Sequence, residues 1–361
     1  MLAYVLGALL VLIGLIVWHI WNNFGENPSV QEERKYAKLS YYKNGQFQSP
    51  KLLYYDFSNV RNGKIGIAHM LIKSKFAPKH KLPKVMLDRS SFPEIPEDYA
   101  LYWLGHSTII LELNGKRLLF DPVFDNAAPI PLAIVRYGEA PIKRKDLPIV
   151  DYVVITHNHY DHLEKKTVQA IKESHFIVPL GIGAALRGWG IDKDCITELG
   201  WDEIFEKDGL TIIAAEGVHY SHRSPWNRNK TLWNSYIVRT IGKNIFLSGD
   251  TGYGSHLARI GTQYGPFDMV ALEIDGWNTG WPNNHLFPHE VVQAAQELGT
   301  KNILPIHWAV FDLALHPWHE SIDMVLEEAQ GKDLNVMTPQ MGERIVPGIT
   351  PTKHWWKLIK K

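Results

Sequence analysis

A short segment of the sequence holds four side chains that can bind metal ions. Residues 155–164 read I-T-H-N-H-Y-D-H-L-E and contain His157, His159, Asp161 and His162. Imidazole and carboxylate groups are suitable ligands for zinc. Side chains two positions apart on extended backbone point to the same side, so the first two histidines can hold one cation. The adjacent Asp-His pair can reach a second cation. A histidine-rich surface loop is the alternative, but the apolar strand predicted directly before the segment favours a metal site.

Two metal ions need more ligands than one segment supplies, and further candidates occur where later apolar segments end. His219, Asp250 and His307 each follow such a segment closely. Layered α/β folds gather functional side chains where their strands end. Asp250 lies in the turn Gly-Asp-Thr-Gly, where its two carboxylate oxygens could bridge two cations. The sequence therefore predicts a dinuclear metal site built from distant parts of the chain.

The elements that must position these residues form a mixture of hairpins and β/α units. Alternating and apolar segments predict strands, and longer amphipathic segments predict helices. The predicted strands are 100–104, 108–113, 116–120, 152–155, 176–178, 211–213, 235–238, 244–247, 269–272 and 302–306, and the predicted helices are 164–173, 255–263 and 288–298. Because hairpins come first and β/α units follow, we expect an α/β or α+β fold whose sheets are covered by helices.

The N-terminal segment is apolar enough to cross a bilayer. Residues 2–21 carry no formal charge and end in Trp18-His19-Ile20-Trp21. Twenty helical residues span roughly 30 Å, the thickness of a bilayer core. A cleaved signal peptide would have Lys or Arg before the apolar run and a small-x-small site after it, and both are missing. We therefore expect an uncleaved single-pass anchor over 1–24, with a signal peptide or a buried helix as the alternatives. The basic residues downstream, Arg34, Lys35 and Lys38, favour a cytoplasmic catalytic part.

Composition narrows the possible partners. Lys and Arg total 38, as do Asp and Glu, so the chain lacks the basic excess that nucleic-acid binding exploits. The 17 histidines raise the expectation of metal, and the 13 tryptophans suggest a deep apolar site or contacts with a membrane interface. Cys195 is the only cysteine, which excludes intrachain disulfides and a cysteine-based zinc site.

Several segments carry a family resemblance. They are WLGHSTIILELNGKRLLFDPVF (103–124), ITHNHYDHLE (155–164), FIVPLGIG (176–183), LSGDTGYG (247–254), YGPFDMVALEI (264–274) and ILPIHWAVFDLA (303–314). In these the chain resembles the metallo-β-lactamase superfamily, whose signature T-H-x-H-x-D-H precedes a distal His, a bridging Asp and a last His. More narrowly, it resembles N-acyl phosphatidylethanolamine phospholipase D and its bacterial relatives. The resemblance covers about 98–320 and implies an αβ/βα sandwich of two mixed sheets flanked by helices.

The resemblance also implies a role for each site residue. Two zinc ions per chain are expected, the first held by His157, His159 and His219, the second by Asp161, His162 and His307, with Asp250 bridging them. Asp161, Asp250 and His285 would be catalytic, the last of these beside the scissile phosphate. His106 and Asp121 would support the ligands. His222 is a second candidate near His219, and His289 departs from the family, which more often has an acidic residue there.

The implied domains are a transmembrane anchor (1–24), a connector (25–95), a hydrolase domain (96–347) and a basic-aromatic tail (348–361). The tail, KHWWKLIKK, suits an anionic lipid surface, and docking on the domain is its alternative. Aromatic residues are also expected around the site, although core packing would explain them equally well. They are Trp226, Trp233, Trp277, Trp281, Phe287, Trp308 and Phe311.

The implied function is that of a membrane-associated zinc phosphodiesterase of phospholipase D type. A hydroxide bridging the two metal ions would attack the phosphorus of N-acyl phosphatidylethanolamine, releasing N-acylethanolamine and phosphatidic acid. The expected partners are the phospholipid and the bilayer, without nucleic acid, and the sequence leaves the oligomeric state open, with a homodimer as one option. A lactonase or another phosphodiester hydrolase of the same fold is the alternative enzyme. A non-catalytic metal-binding membrane protein is the remaining alternative.

Overall fold

The computed structural model describes residues 1–63, 74–130 and 132–359. Its helices are α1 (Leu2–Phe24), α2 (Val30–Tyr36), α3 (Lys165–Ala170), α4 (Ile182–Gly188), α5 (Ser255–Tyr264), α6 (Pro288–Glu297) and α7 (Glu320–Glu328). The strands of the first half are β1 (Tyr42–Lys43), β2 (Gln46–Phe47), β3 (Tyr99–Gly105), β4 (Thr108–Leu113), β5 (Lys116–Phe120), β6 (Tyr152–Val154), β7 (His175–Pro179) and β8 (Ile196–Leu199). Those of the second half are β9 (Ile204–Lys207), β10 (Leu210–Ala215), β11 (Ser235–Thr240), β12 (Lys243–Leu247), β13 (Met269–Glu273), β14 (Asn302–Ile306), β15 (Asn335–Val336) and β16 (Arg344–Ile345). Short 3-10 turns lie at Arg89–Ser91, Arg144–Asp146, Lys193–Cys195 and Trp355–Leu358.

Two seven-stranded mixed sheets form the centre of the molecule. The first has the order β16-β3-β4-β5-β6-β7-β8 and the second the order β15-β14-β13-β12-β11-β10-β9. In the first sheet the pairs from β16 to β5 are antiparallel and those from β5 to β8 are parallel. The second sheet repeats this plan, with antiparallel pairs from β9 to β12 and parallel pairs from β12 to β15. The expected sandwich of two mixed sheets flanked by helices is confirmed.

Strand periodicity explains how the first sheet buries both of its faces. Leu101 and Trp103 of β3 pack into the core shared with the second sheet. Tyr102 and Leu104 point the other way, into a core that includes Val168 of α3 and α4 residues. Because successive side chains of a strand alternate between faces, one apolar run serves both cores. The ten predicted strands and three predicted helices all coincide with observed elements.

Helix α1 stands away from the protein over most of its length. Its segment Tyr4–Phe24 is long and apolar enough to cross a membrane, and none of the window that meets this test is buried. Its C-terminal end, by contrast, docks on the domain. Trp21 and Phe24 contact Trp226 with ring centroids 5.5 and 5.6 Å apart. Lys165 Nζ also donates a hydrogen bond to the Asn22 carbonyl.

The segment expected to be a connector packs partly against the domain. Its Asn44-Gly45 turn joins β1 and β2, with φ of 55° and 74° at the two residues, a left-handed conformation that Asn and Gly tolerate. Phe47 is buried in a small core with Leu232 and Trp233. Residues 64–73 of this segment, like Lys360 and Lys361 of the tail, lie outside the described residues.

The C-terminal tail does not present its tryptophans to a membrane surface. Trp355 and Trp356 are 4% and 0% exposed and pack on Trp308 with ring centroids 5.6 and 5.5 Å away. The expectation that these two aromatic residues contact lipid is wrong, because indole rings gain more from burial in an available core than from a solvated interface.

Candidate metal centre

The candidate ligands lie where strands of both sheets end. The ITHNHYDH segment follows β6 of the first sheet, whereas His219, Asp250 and His307 follow β10, β12 and β14 of the second. Strands β6, β12 and β14 belong to the parallel parts of their sheets, where the carboxyl ends of strands share one edge. The structure therefore brings all seven sequence-predicted ligands to one edge of the sandwich.

Three histidines form the first group of candidate ligands. His157 Nε2 lies 2.8 Å from His159 Nδ1, and His219 Nε2 lies 3.3 Å from the same Nδ1 atom. The Nε2 atoms of His157 and His219 are each 3.7 Å from Oδ2 of Asp250. One ligand atom from each of these four residues fits within 4.8 Å of all the others. This spacing suits a single cation.

The second group shares Asp250 with the first. The Nε2 atoms of His162 and His307 are both 3.5 Å from Asp161 Oδ2, and they lie 3.3 and 3.2 Å from Asp250 Oδ2. Asp250 Oδ2 thus lies within 3.7 Å of four imidazole nitrogens, two from each group. Its position between the groups is that of a carboxylate able to bridge two cations.

Buried neighbours set the orientation of the ligands. His162 Nδ1 lies 2.7 Å from Asp121 Oδ2, and the Thr156 amide and hydroxyl donate hydrogen bonds to the same carboxylate at 2.8 and 2.6 Å. Because the His162 Nδ1–H is engaged, its Nε2 is the nitrogen left for a metal. His106 Nε2 contacts Asp161 Oδ2 at 3.0 Å. One nitrogen of His106 also lies within 4.8 Å of a ring nitrogen of His162 and of one of His307.

Burial and mutual charge divide the histidines into two kinds. Burial lowers the pKa of His157 and His219 well below the ordinary value and that of His159 to about 3, so these imidazoles are neutral at pH 7. Burial would also lower the pKa of His307, but Asp250 and Asp161 outweigh it and raise that pKa to about 10. A metal ion bound by His307 would displace the proton of that imidazole, because a histidine nitrogen binds metal in its deprotonated form.

The donor set fits divalent metal ions. Buried side-chain atoms that lack a hydrogen-bond partner among the described residues include His162 Nε2, His307 Nε2, His159 Nε2 and Asp250 Oδ1. Leaving such groups unpaired costs roughly 1–3 kcal/mol each, so their concentration at one point calls for a ligand. Nitrogen and carboxylate donors in this arrangement are typical of zinc and of other transition metals.

His285 lies beside the metal ligands and has a buried acidic partner. One of its ring nitrogens lies within 4.8 Å of a carboxylate oxygen of Asp250 and of a ring nitrogen of His307. Its Nδ1 is 3.3 Å from Oε1 of Glu273, a side chain with 0% exposure that also accepts a hydrogen bond from the Leu286 amide at 2.8 Å. Burial raises the pKa of Glu273. Glu273 was not among the predicted site residues, although an acidic residue ending the apolar strand Met-Val-Ala-Leu-Glu is a signal that could have found it.

A cleft of about 340 Å³ opens onto these residues. Its aromatic walls are Tyr55 and Phe57 of the N-terminal extension, together with Tyr160, Tyr220 and Trp281. His222 lines the cleft but takes no part in the candidate ligand groups, and the exposed His289 lies outside it.

The expected aromatic cluster around the site is largely wrong. Of its seven members only Trp281 lines the cleft. Trp233 and Trp308 are each 1% exposed and belong to the packed interior, and Trp226 is exposed beside α1. Core packing, the alternative considered for the tryptophans, explains these positions because large rings contribute most when fully buried.

Comparisons with known proteins show which family this chain resembles. The model of the beta-lactamase superfamily domain matches residues 116–308, more than half of the chain. A protein of Mycobacterium tuberculosis is 39% identical over 269 residues, which are 72% of each chain. An N-acyl-phosphatidylethanolamine-hydrolyzing phospholipase D of Caenorhabditis elegans is 30% identical over 67% of this chain and 74% of its own length. A metallo hydrolase from Ignicoccus hospitalis shares the fold, with a TM-score of 0.52 at 20% identity over 68% of this chain and 97% of that one.

The matched region begins in β5 and ends just past His307, so it contains all seven ligands predicted from the sequence. The chain therefore belongs to the beta-lactamase superfamily and is a metallo-hydrolase of that superfamily.

Proposed function

We propose that the protein is a membrane-anchored dinuclear zinc phosphodiesterase of phospholipase D type. Its substrate would be N-acyl phosphatidylethanolamine, which it would cleave to N-acylethanolamine and phosphatidic acid. The observation that carries the proposal is the position of Asp250 Oδ2 within 3.7 Å of four imidazole nitrogens from two ligand groups. The relative from Caenorhabditis elegans, whose name specifies this substrate, supports the choice of lipid.

The ligands proposed for the two ions are the two groups of side chains whose donor atoms lie close together. His157, His159 and His219 would hold one zinc ion, and Asp161, His162 and His307 the other, with Asp250 between them. Two zinc ions held here would activate water near neutral pH and neutralise charge on the phosphoryl oxygens. The imidazoles of His157 and His219 in the first group are already neutral at pH 7, so they can bind a metal ion without first losing a proton.

His285 is proposed to act on the leaving group. Glu273 Oε1 lies 3.3 Å from its Nδ1, and this carboxylate would hold the ring beside the reacting centre. A proton delivered from the imidazole ring to the departing ethanolamide oxygen would complete cleavage of the P–O bond. Tyr55, Phe57 and Trp281 would pack against the apolar part of the lipid in the cleft.

Helix α1 is proposed to anchor the enzyme in the membrane that contains its substrate. The exposed apolar side chains of α1 and its docked C-terminal end would hold the domain against the bilayer surface. Arg34, Lys35 and Lys38 follow the span, which favours the cytoplasmic side. Protease accessibility in sealed inverted and right-side-out vesicles would test this orientation.

A substrate panel with and without chelator tests the proposal. The purified full chain would be incubated with N-acyl phosphatidylethanolamine, phosphatidylcholine and a set of lactones, and the products analysed by mass spectrometry. We expect N-acylethanolamine and phosphatidic acid, with release stopped by chelation and restored by zinc. Zinc-dependent lactone opening without phospholipid cleavage would favour the lactonase alternative. Metal analysis showing less than one zinc per chain would favour a non-catalytic protein.

A further inference from the structure

A second and larger cavity lies where α1 meets the domain. We call it the anchor cleft: it has a volume of about 640 Å³ and is lined by His19 and Asn23 of α1, by the loop between β5 and β6, and by Tyr160 and Arg223. Among the described residues, Tyr160 alone lines both this cavity and the cleft at the metal centre. The anchor cleft therefore shares a wall with the metal centre and opens beside the end of the proposed membrane span.

Two arginines of the anchor cleft, Arg136 and Arg223, have N–H groups that make no hydrogen bond among the described residues. Arg223 is 4% exposed and donates from Nε to the Asn23 carbonyl and from Nη1 to the carbonyls of Asn158 and Leu163. Arg136 is half-buried and donates from Nη1 to the Val123 carbonyl. Across the described ranges, neither guanidinium has a carboxylate within ion-pair distance and neither Nη2 makes a hydrogen bond.

Two of the three acidic side chains that line the anchor cleft are paired with cations other than Arg136 and Arg223. Asp125 forms ion pairs with Arg144 and Lys166, and Glu164 pairs with Arg144 at 2.6 Å. Glu139, at the rim, is exposed. Burying an arginine without a counter-charge is costly, and burial lowers the pKa of both Arg136 and Arg223 to about 10. An anionic ligand would remove that cost.

Exposed apolar side chains lie next to these cations. Ile130, Leu132 and Val135 belong to the loop between β5 and β6 and are 43%, 74% and 51% exposed. Ile130 and Leu132 line the anchor cleft together with His19 and Asn23 near the end of α1. A cavity with free guanidinium donors inside and an apolar rim beside a membrane span matches an amphiphile that has an anionic head and apolar tails.

We propose that the anchor cleft is a binding site for the phosphate of an anionic phospholipid from the bilayer around α1, with Arg136 and Arg223 as its ligands. This inference rests on the proposed membrane attachment of α1 but does not depend on the phospholipase activity. Because Tyr160 lies between His159 and Asp161, a lipid in the anchor cleft would contact the segment that holds both metal groups.

Binding to chelator-treated protein tests the proposal, since a lipid phosphate that bound only to metal would then be lost. The full chain in detergent micelles would be titrated calorimetrically with dioctanoyl phosphatidic acid, dioctanoyl phosphatidylcholine and inorganic phosphate. We expect phosphatidic acid to bind most tightly. Arg136→Gln should weaken that binding about tenfold, because a charge-assisted hydrogen bond is lost. Arg136→Lys, which keeps the charge without the planar fork, should give an intermediate affinity and replaces the first variant if that one does not fold.

Arg239→Gln is the matched control. Arg136 donates to a backbone carbonyl and lies over the Phe311 ring. Arg239 likewise donates to a backbone carbonyl and lies over the Tyr264 ring, but it belongs to β11 and does not line the anchor cleft. We expect its substitution to leave phosphatidic acid binding unchanged. Equal binding of phosphatidylcholine, or unchanged affinity in both Arg136 variants, would overturn the proposal. Inorganic phosphate binding as tightly as phosphatidic acid would overturn the lipid as the source of the phosphate.

Discussion

Asp250 Oδ2 lies 3.2 Å from Nε2 of His307, although the two residues end different strands of the second sheet. The same oxygen reaches the histidines that follow β6 of the first sheet, so Asp250 joins the two sheets at the metal centre. We infer that its charge is needed to hold two cations.

Replacement of Asp250 by asparagine tests this role. Asn keeps the size of the side chain but not its charge, so we expect a folded protein that has lost bound zinc. The value of kcat/KM should fall by about 10³-fold or more, the order expected when a principal electrostatic group is removed. Metal analysis and kinetics measure the two effects. Asp268→Asn is a suitable control, because Asp268 is exposed at the start of the neighbouring strand. Full activity in Asp250→Asn would exclude a bridging role.

The Glu273–His285 pair allows a prediction about positioning. In Glu273→Gln a side chain of similar size stays beside Nδ1 of His285, but the neighbouring charge is lost. We expect zinc content to be retained and kcat to fall about tenfold, a modest share of the roughly 10²–10⁴-fold that general acid–base catalysis supplies. A shift of the pH–rate profile is the specific readout, since a purely structural role would leave its shape unchanged. Glu216→Gln, at an ion pair on the protein surface, is the control.

A buried ion pair outside the candidate metal centre predicts a loss of stability. Glu112 and Arg117 face each other across β4 and β5, are 0% and 3% exposed, and are joined by a 2.8 Å hydrogen bond from Arg117 Nε. Glu112→Leu leaves a buried guanidinium without its counter-charge, which costs about 3–5 kcal/mol of the free energy of unfolding. Urea denaturation measures this. Asp333→Asn, which breaks the exposed pair with Lys301, should cost less than about 1 kcal/mol. Equal effects of both changes would contradict the account.

His256 predicts a pH dependence of stability. It is 2% exposed, and burial, with Arg259 and Lys51 nearby, lowers its pKa to about 3. Between pH 6.5 and pH 3 the unfolded chain therefore binds a proton that the folded chain does not, so stability falls as pH falls through this window. The contribution of His256 is about 1.4 kcal/mol per pH unit below 6.5. Urea denaturation at pH 7.5 and 5.5 should show a smaller difference in His256→Gln than in the wild type. An identical difference would show that His256 is protonated in the folded state.

The candidate ligands were predictable because each combines ligand chemistry with a position at the end of an apolar strand. His157, Asp250 and His307 carry that signal within a few neighbouring residues. To predict that these ligands lie together, it was enough to assume that the ends of strands converge at one edge of a sheet.

Other features depend on contacts between distant residues that no local pattern reports. Tyr55 and Phe57 reach the cleft because the N-terminal extension folds back, with the Asp56 amide donating to the Gly280 carbonyl at 2.7 Å. The tryptophans were misplaced because composition does not distinguish a buried ring from one that lines a cleft. The short helix Ile182–Gly188 was missed because its apolar run lacks a polar face from which helical periodicity could be recognised.

The central claim is that the metal centre directs water to phosphorus in a phospholipid. Hydrolysis of N-acyl phosphatidylethanolamine in heavy-oxygen water, followed by mass spectrometry of both products, tests it most directly. We predict zinc-dependent cleavage with the heavy oxygen in the phosphate of phosphatidic acid and none in the N-acylethanolamine. Heavy oxygen in the N-acylethanolamine, or no cleavage by the zinc-loaded protein, would contradict the claim.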